Sequence, residues 1–151
     1  MKKCIFITFI FLLVTLIGCS NGNLTSSKPP EVFIEISNEK YETKLGTYCW
    51  GDTCIDTAGP VELLDGKAPV KVKPGEKINF VMDYKPLPNS VYLLQINEEK
   101  KEQEVLVEDH EFTAPAQKGL YYYSYGVWWM DEKQENVSNG DAFYVFALEV
   151  E

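Results

Sequence analysis

The sequence beyond its first thirty residues predicts an all-β fold, an antiparallel β-sandwich of about seven to nine short strands. Three observations carry that prediction. Apolar residues recur with a period of two in one segment after another, as in Val32, Ile34 and Ile36, and that is the alternation of side chains across a strand. Turn chemistry such as Gly51-Asp52, Asp65-Gly66 and Pro74-Gly75 interrupts the chain at short intervals. No stretch after Cys19 sustains a helical period.

The first eighteen residues stand apart from this pattern. Lys2-Lys3 is followed by a nearly unbroken apolar run, Ile5 to Ile17, which suits a signal-peptide core and falls short of the roughly 20 residues a bilayer-spanning helix needs. Gly18 then places a small residue directly before Cys19. Leu16-Ile17-Gly18-Cys19 resembles a bacterial lipobox, and the resemblance implies cleavage before Cys19 and lipidation of its thiol. An ordinary secretory signal or an uncleaved anchor is the simpler alternative. The lipobox reading makes residues 1–18 a lipoprotein signal peptide and places the domain on the extracytoplasmic face of the cell membrane, since two or more acyl chains hold firmly where one holds weakly. Ser20 to Pro30 is polar and ends in two prolines, so residues 19–30 are expected to be a lipidated cysteine followed by a flexible tether. The folded domain is expected over 31–151.

Within that domain the elements follow in order. Val32 to Ile36 is a short strand and Lys40 to Trp50 a second extended stretch. Trp50-Gly51-Asp52-Thr53 supplies a hairpin turn. Val61 to Leu64 is expected as a further short strand. Val70 and Val72, the turn Lys73-Pro74-Gly75-Glu76, and alternating Ile78, Phe80 and Met82 predict a hairpin. Pro86 and Pro88 mark a loop. Val91–Asn97 and Gln103–Asp109 flank the charged turn NEEKKE and pair as another hairpin; a short helix there would have too few apolar anchors. Leu120 to Met130 and Asp141 to Val150 close the chain. Ala142, Tyr144, Phe146, Leu148 and Val150 share one face of the last strand, with Phe143, Val145 and Ala147 on the other.

Composition excludes some functions. Without residues 1–18 the chain keeps 12 Lys against 23 Asp and Glu, a formal charge of −11, and it has no arginine. Nucleic-acid binding rests on Lys/Arg neutralisation of phosphate, so it is excluded as a function class. Cys4 leaves with the leader and Cys19 carries lipid, which leaves Cys49 and Cys54 as an even pair. In an oxidising compartment that pair is expected to form a disulfide. A redox role needs the C-x-x-C spacing that is missing here, and two cysteines without a nearby histidine make a poor zinc site.

A resemblance adds to this reading. Pro74 to Phe80 (PGEKINF) is similar to the entry of an early strand in bacterial immunoglobulin-like domains. Gly119-Leu120-Tyr121-Tyr122-Tyr123, with Gly140-Asp141-Ala142 and the closing strand, is similar to their last two strands. The resemblance covers about half of the mature chain. It implies an immunoglobulin-like sandwich in which Tyr121 forms the tyrosine corner, and it lacks the inter-sheet disulfide of antibody domains. The whole chain also resembles small lipoproteins of Bacillus-type bacteria, a family that implies no activity.

Candidate chemistry is sparse. Cys49 to Cys54 could pin a hairpin, and the same loop could present Trp50 as a rigid binding anchor. Tyr121, Tyr123 and Tyr125 fall on one face of their strand and Tyr122 and Trp128 on the other, so one set must be core. Neighbouring Trp128 and Trp129 cannot both point inward. Trp50, Trp128, Trp129 and Tyr122 are therefore the candidate binding residues. His110 lies beside Asp109 and Glu111 without a nucleophile motif, and the acidic clusters lack the spaced loop that wraps Ca²⁺. No cofactor or metal is expected. The expected function is a non-enzymatic protein-binding module, the partner being an envelope or secreted protein. The alternatives are carbohydrate or cell-wall binding, and hydrolysis by a carboxylate pair that no motif selects. Cys19→Ala is expected to release the protein from membranes or leave it unprocessed, which fractionation and mass spectrometry of the native product would show.

Overall fold

The computed structural model describes residues 26–151, so the leader and the lipidation expected at Cys19 lie outside the described residues. Eleven strands and one helical turn follow in order: β1 (Val32–Ile36), β2 (Glu39–Glu42), β3 (Lys44–Trp50), β4 (Thr53–Ile55), α1 (Pro60–Leu63), β5 (Val70–Val72), β6 (Lys77–Met82), β7 (Ser90–Asn97), β8 (Glu102–Val105), β9 (Glu111–Thr113), β10 (Gly119–Met130) and β11 (Ser138–Val150). They form two sheets. The smaller has the order β2-β1-β6-β9; the larger runs β4-β3-β11-β10-β7-β8, with β5 added in parallel to β11.

The strand order fixes the fold class. Strands β1-β6-β9 on one sheet and β7-β10-β11 on the other match the ABE and CFG arrangement of an immunoglobulin-like sandwich. Tyr121 supplies the tyrosine corner, its hydroxyl donating to the Gln117 carbonyl at 2.9 Å. Strands β2 to β4 are an addition to that plan. They raise the strand count above seven to nine, with β2 widening the small sheet and β3–β4 widening the large one.

Alternation builds the core. Val32, Ile34, Ile36, Ile78, Phe80 and Phe112 from the small sheet meet Tyr121, Tyr123, Tyr125, Val127 and Trp129 of β10 and the even-numbered residues of β11. Phe80 stacks on Tyr125 across the sheets with centroids 3.6 Å apart, and Tyr123 stacks on Phe146 at 4.9 Å. Burying tyrosine requires partners for its hydroxyl. Tyr123 donates to Gln95 Oε1 at 2.9 Å, and Tyr144 to the Pro30 carbonyl at 2.6 Å. Burial pushes the phenols of Tyr123, Tyr125 and Tyr144 well above their ordinary range, so they stay neutral.

Four expectations need correction. Val61–Leu64 is not a strand: Pro60 opens a helical turn, a position its fixed φ favours, and Leu63 and Leu64 pack on Val145 and Ala147 outside the large sheet. The segments around Pro74-Gly75 do not pair as a hairpin. Strand β5 joins β11 and β6 joins β1, so the turn crosses from one sheet to the other; period two gives each strand's buried face and says nothing about its partner. Lys40–Trp50 is broken at Thr43, whose hydroxyl donates to the Val32 carbonyl at 2.6 Å where the chain changes sheets. Finally, the tether ends earlier than Pro30. Pro29 is buried, and the Ser26 carbonyl accepts from Trp50 Nε1 at 3.0 Å.

Two stability measurements follow. Tyr121→Phe should cost about 1 kcal/mol in urea unfolding. Replacing Cys49 and Cys54 by Ser should cost roughly 2 kcal/mol, the loop-closure entropy of so short a ring.

Candidate functional site

The same alternation that fills the core dictates what the large sheet shows to solvent. Inward-facing Tyr121 to Trp129 leave Tyr122, Ser124, Gly126 and Trp128 on the outer face of β10. Register places Tyr92 of β7 and Phe143 of β11 on either side of Gly126, and Leu94 and Val145 on either side of Ser124. Leu63 and Leu64 cover Val145, Ala147, Leu120 and Tyr122. What stays open is a strip made of Tyr92, Leu94, Trp128 and Phe143. Tyr92 is 37% exposed, and Leu106, one residue past β8, is 73% exposed.

Gly126 makes this strip flat. A Cβ there would stand 2.7 Å from Trp128 Cη2 and 2.8 Å from Phe143 Cε1, so only glycine lets both rings lie down on the sheet. They meet edge to face with centroids 5.3 Å apart. Beside Phe143 the sheet surface deepens into a groove of about 260 Å³, walled by Thr47, Thr57, Pro60 and Leu63 with Gly46 and Ser124 at its base. A Cβ on Gly46 would lie 3.5 Å from Leu63 Cδ1 and 3.4 Å from Thr57 Oγ1, so its absence keeps the groove deep. The wall hydroxyls are already engaged: Thr47 Oγ1 donates to Asp56 Oδ1 at 3.0 Å, accepts the Thr57 backbone N–H at 3.1 Å, and lies 3.3 Å from Thr57 Oγ1.

Carboxylates border the strip. Glu102 and Glu104 stand beside Ile96 and Leu94 on the outer face of β8. On the opposite side Asp141 is directly across from Trp128 and from Cys49. Partial burial raises the Asp141 pKa above the ordinary carboxylate value, opposed by a hydrogen bond from the Cys49 backbone N–H. Lys44, opposite Val145 on this face, spends its ammonium on the Leu63 carbonyl at 2.8 Å.

The sequence-predicted residues divide between the two faces. Cys49 and Cys54 are joined, pinning β3 to β4 on the outer side. Trp50, the next residue, is thereby turned inward and is buried, edge-on to Tyr84 and Trp129. Trp129 is buried too, its indole donating to the Pro86 carbonyl at 2.8 Å. Neither indole can serve as an exposed anchor, which corrects that expectation for Trp50 and Trp129. Tyr122 is on the outer face but half-buried under α1. Of the four candidates, Trp128 alone joins the open strip. Tyr92, Leu94, Gly126 and Phe143 were not singled out from sequence, although the alternation of VYLLQI already placed Tyr92 and Leu94 together.

His110 is exposed in the turn before β9. Among the described residues, no group of three or more His, Cys, Asp or Glu side chains is placed to hold a metal ion, and no helix is long and apolar enough to cross a membrane. Comparison with protein-family models, curated proteins and solved structures finds no match to this chain.

Trp50→Ala should cost about 3–5 kcal/mol in unfolding free energy, as for a buried indole, whereas Trp128→Ala should cost far less. Because burial raises the Asp141 pKa, the ionised form is the penalised one in the fold, and its stability contribution falls as pH rises through that raised value. Asp141→Asn should therefore stabilise the protein more, relative to the parent, at pH near 7 than at pH near 3, where both side chains are neutral.

Proposed function

We propose that this chain is a non-enzymatic, lipid-anchored module that displays its sandwich outside the cell membrane and binds a protein partner on the outer face of the large sheet. The observation that carries the reading is the open strip Tyr92–Leu94–Trp128–Phe143 beside an apolar groove. Flat aromatic surface on a rigid sheet is the composition that concentrates binding energy in protein interfaces. A carbohydrate seated in the groove would ask for free directional polar groups there, and the hydroxyls of Thr47 and Thr57 are already engaged, Thr47 with Asp56 and the two with each other. An apolar side chain from a protein makes no such demand.

The anchor adds a constraint on reach. If Cys19 carries the lipid, seven peptide steps separate it from Ser26, where the chain is already docked on Trp50. Whatever their conformation, those residues extend at most roughly 25 Å. The domain is held close to the membrane, and its partner is an envelope protein or a secreted one passing near the surface.

The test is capture from envelope extract and from wall polysaccharide by the immobilised protein. Trp128→Ala and Tyr92→Ala should each abolish capture of a protein, while Glu42→Ala on the small sheet should leave it intact. Capture of polysaccharide alone, or of protein indifferent to Trp128 and Tyr92, would overturn the reading.

A further inference from the structure

Resting on the binding face just proposed, we infer that its partner presents a cationic segment, lysines or arginines alternating with apolar side chains, whose apolar members lie on the aromatic strip and whose cations meet the carboxylates that border it.

The apolar strip is bordered on two sides by negative charge. Glu102 and Glu104 line one side of the strip and Asp141 the other. Asp56 and Glu62 flank the groove through Thr47 and α1. Several of the cations near them are spent elsewhere: Lys44 is turned to the Leu63 carbonyl, Lys71, further along the outer face, pairs with Glu151 at 2.9 Å, and Lys101, directly before Glu102, pairs with Glu99 at 2.6 Å. There is no arginine in the chain to compensate elsewhere. An anionic partner would therefore bring like charge against Glu104 and Asp141 as it settled on the apolar rings, and a like-charge contact at an interface is costly. A second copy of this chain is disfavoured for the same reason, since each mature chain carries a formal charge of −11, 12 lysines against 23 acidic residues. Side chains of an extended segment alternate, so its apolar members can lie on Trp128 and Tyr92, and the long stems of the intervening lysines or arginines let their cations bend round to the two carboxylate borders.

The test uses the full-length protein in nanodiscs of uncharged phosphatidylcholine, with empty discs as background. Three fluorescein-labelled probes are titrated by anisotropy: a short peptide alternating Lys and Leu, one alternating Glu and Leu, and oligo-lysine. The Lys/Leu peptide should bind at least about tenfold more tightly than either of the others, and its affinity should fall as ionic strength rises. Glu104→Lys, on an exposed edge strand, and Asp141→Lys should each weaken it about tenfold. Glu42→Lys, the same change on the exposed edge strand of the small sheet, should not. Equal binding of the Glu/Leu peptide, or an equal loss from Glu42→Lys and Glu104→Lys, would overturn the inference. Loss of binding in Trp128→Ala with indifference to Glu104→Lys would remove the cationic partner and keep the face. Binding indifferent to Trp128→Ala would remove the face itself.

Discussion

Everything in this molecule depends on the two-residue alternation of β10. Twelve consecutive residues, Gly119 to Met130, hold six of the large aromatic side chains, and a strand can bury only every other one. The odd-numbered set becomes the centre of the sandwich, stacked against Phe80, Phe112 and Phe146. The even-numbered set is then forced outward whatever its polarity. The apolar outer face is the consequence of the core's register, and α1 covers only one end of it. A one-residue slip would exchange the two sets, and the buried hydroxyl bonds of Tyr121 and Tyr123 oppose that slip.

Those hydroxyl bonds, with that of Tyr144, explain how three of the core tyrosines are tolerated. Each buried phenol brings apolar area and a polar group that must be matched. Tyr144 finds its match in the N-terminal segment, at the Pro30 carbonyl, and Trp50 finds one at Ser26. The strand that enters the sandwich and the segment before it are therefore part of the same hydrogen-bonded core. This is where the end of the expected tether becomes part of the domain, and why any anchor upstream would hold the domain on a short leash.

The sequence made some of this legible. Val32–Ile36, the β7–β8 hairpin, both long C-terminal strands and the disulfide follow from local rules, since each rests on neighbours in sequence or on alternation, whereas the corner hydroxyl of Tyr121 was implied by the resemblance to immunoglobulin-like domains. What was not legible depends on choices between distant partners. Nothing in Val70-Lys71-Val72 says that it pairs in parallel with β11 rather than with the strand that follows it. Leu63 and Leu64 look like strand residues until the bare Val145 and Ala147 of β11 give a helical turn something to cover. Trp50 looked like a displayed anchor because it sits in a tight loop. The disulfide fixes Cys49 outward, so Trp50 must turn inward, and a parity argument from Cys49 could have found this. The roles of Gly126 and Gly46 were invisible, because a glycine's value here lies in the rings and groove that its missing Cβ leaves room for.

The parity of β10 is tested most directly by hydroxyl-radical footprinting of the native protein, with oxidation located by peptide mass spectrometry. Rapid oxidation of Trp128, Tyr92 and Leu94 is expected, with Trp129, Trp50, Tyr123 and Tyr125 protected until the protein is unfolded. Oxidation of Trp129 at the rate of Trp128, or protection of Trp128 with exposure of Tyr123 and Tyr125, would contradict that parity.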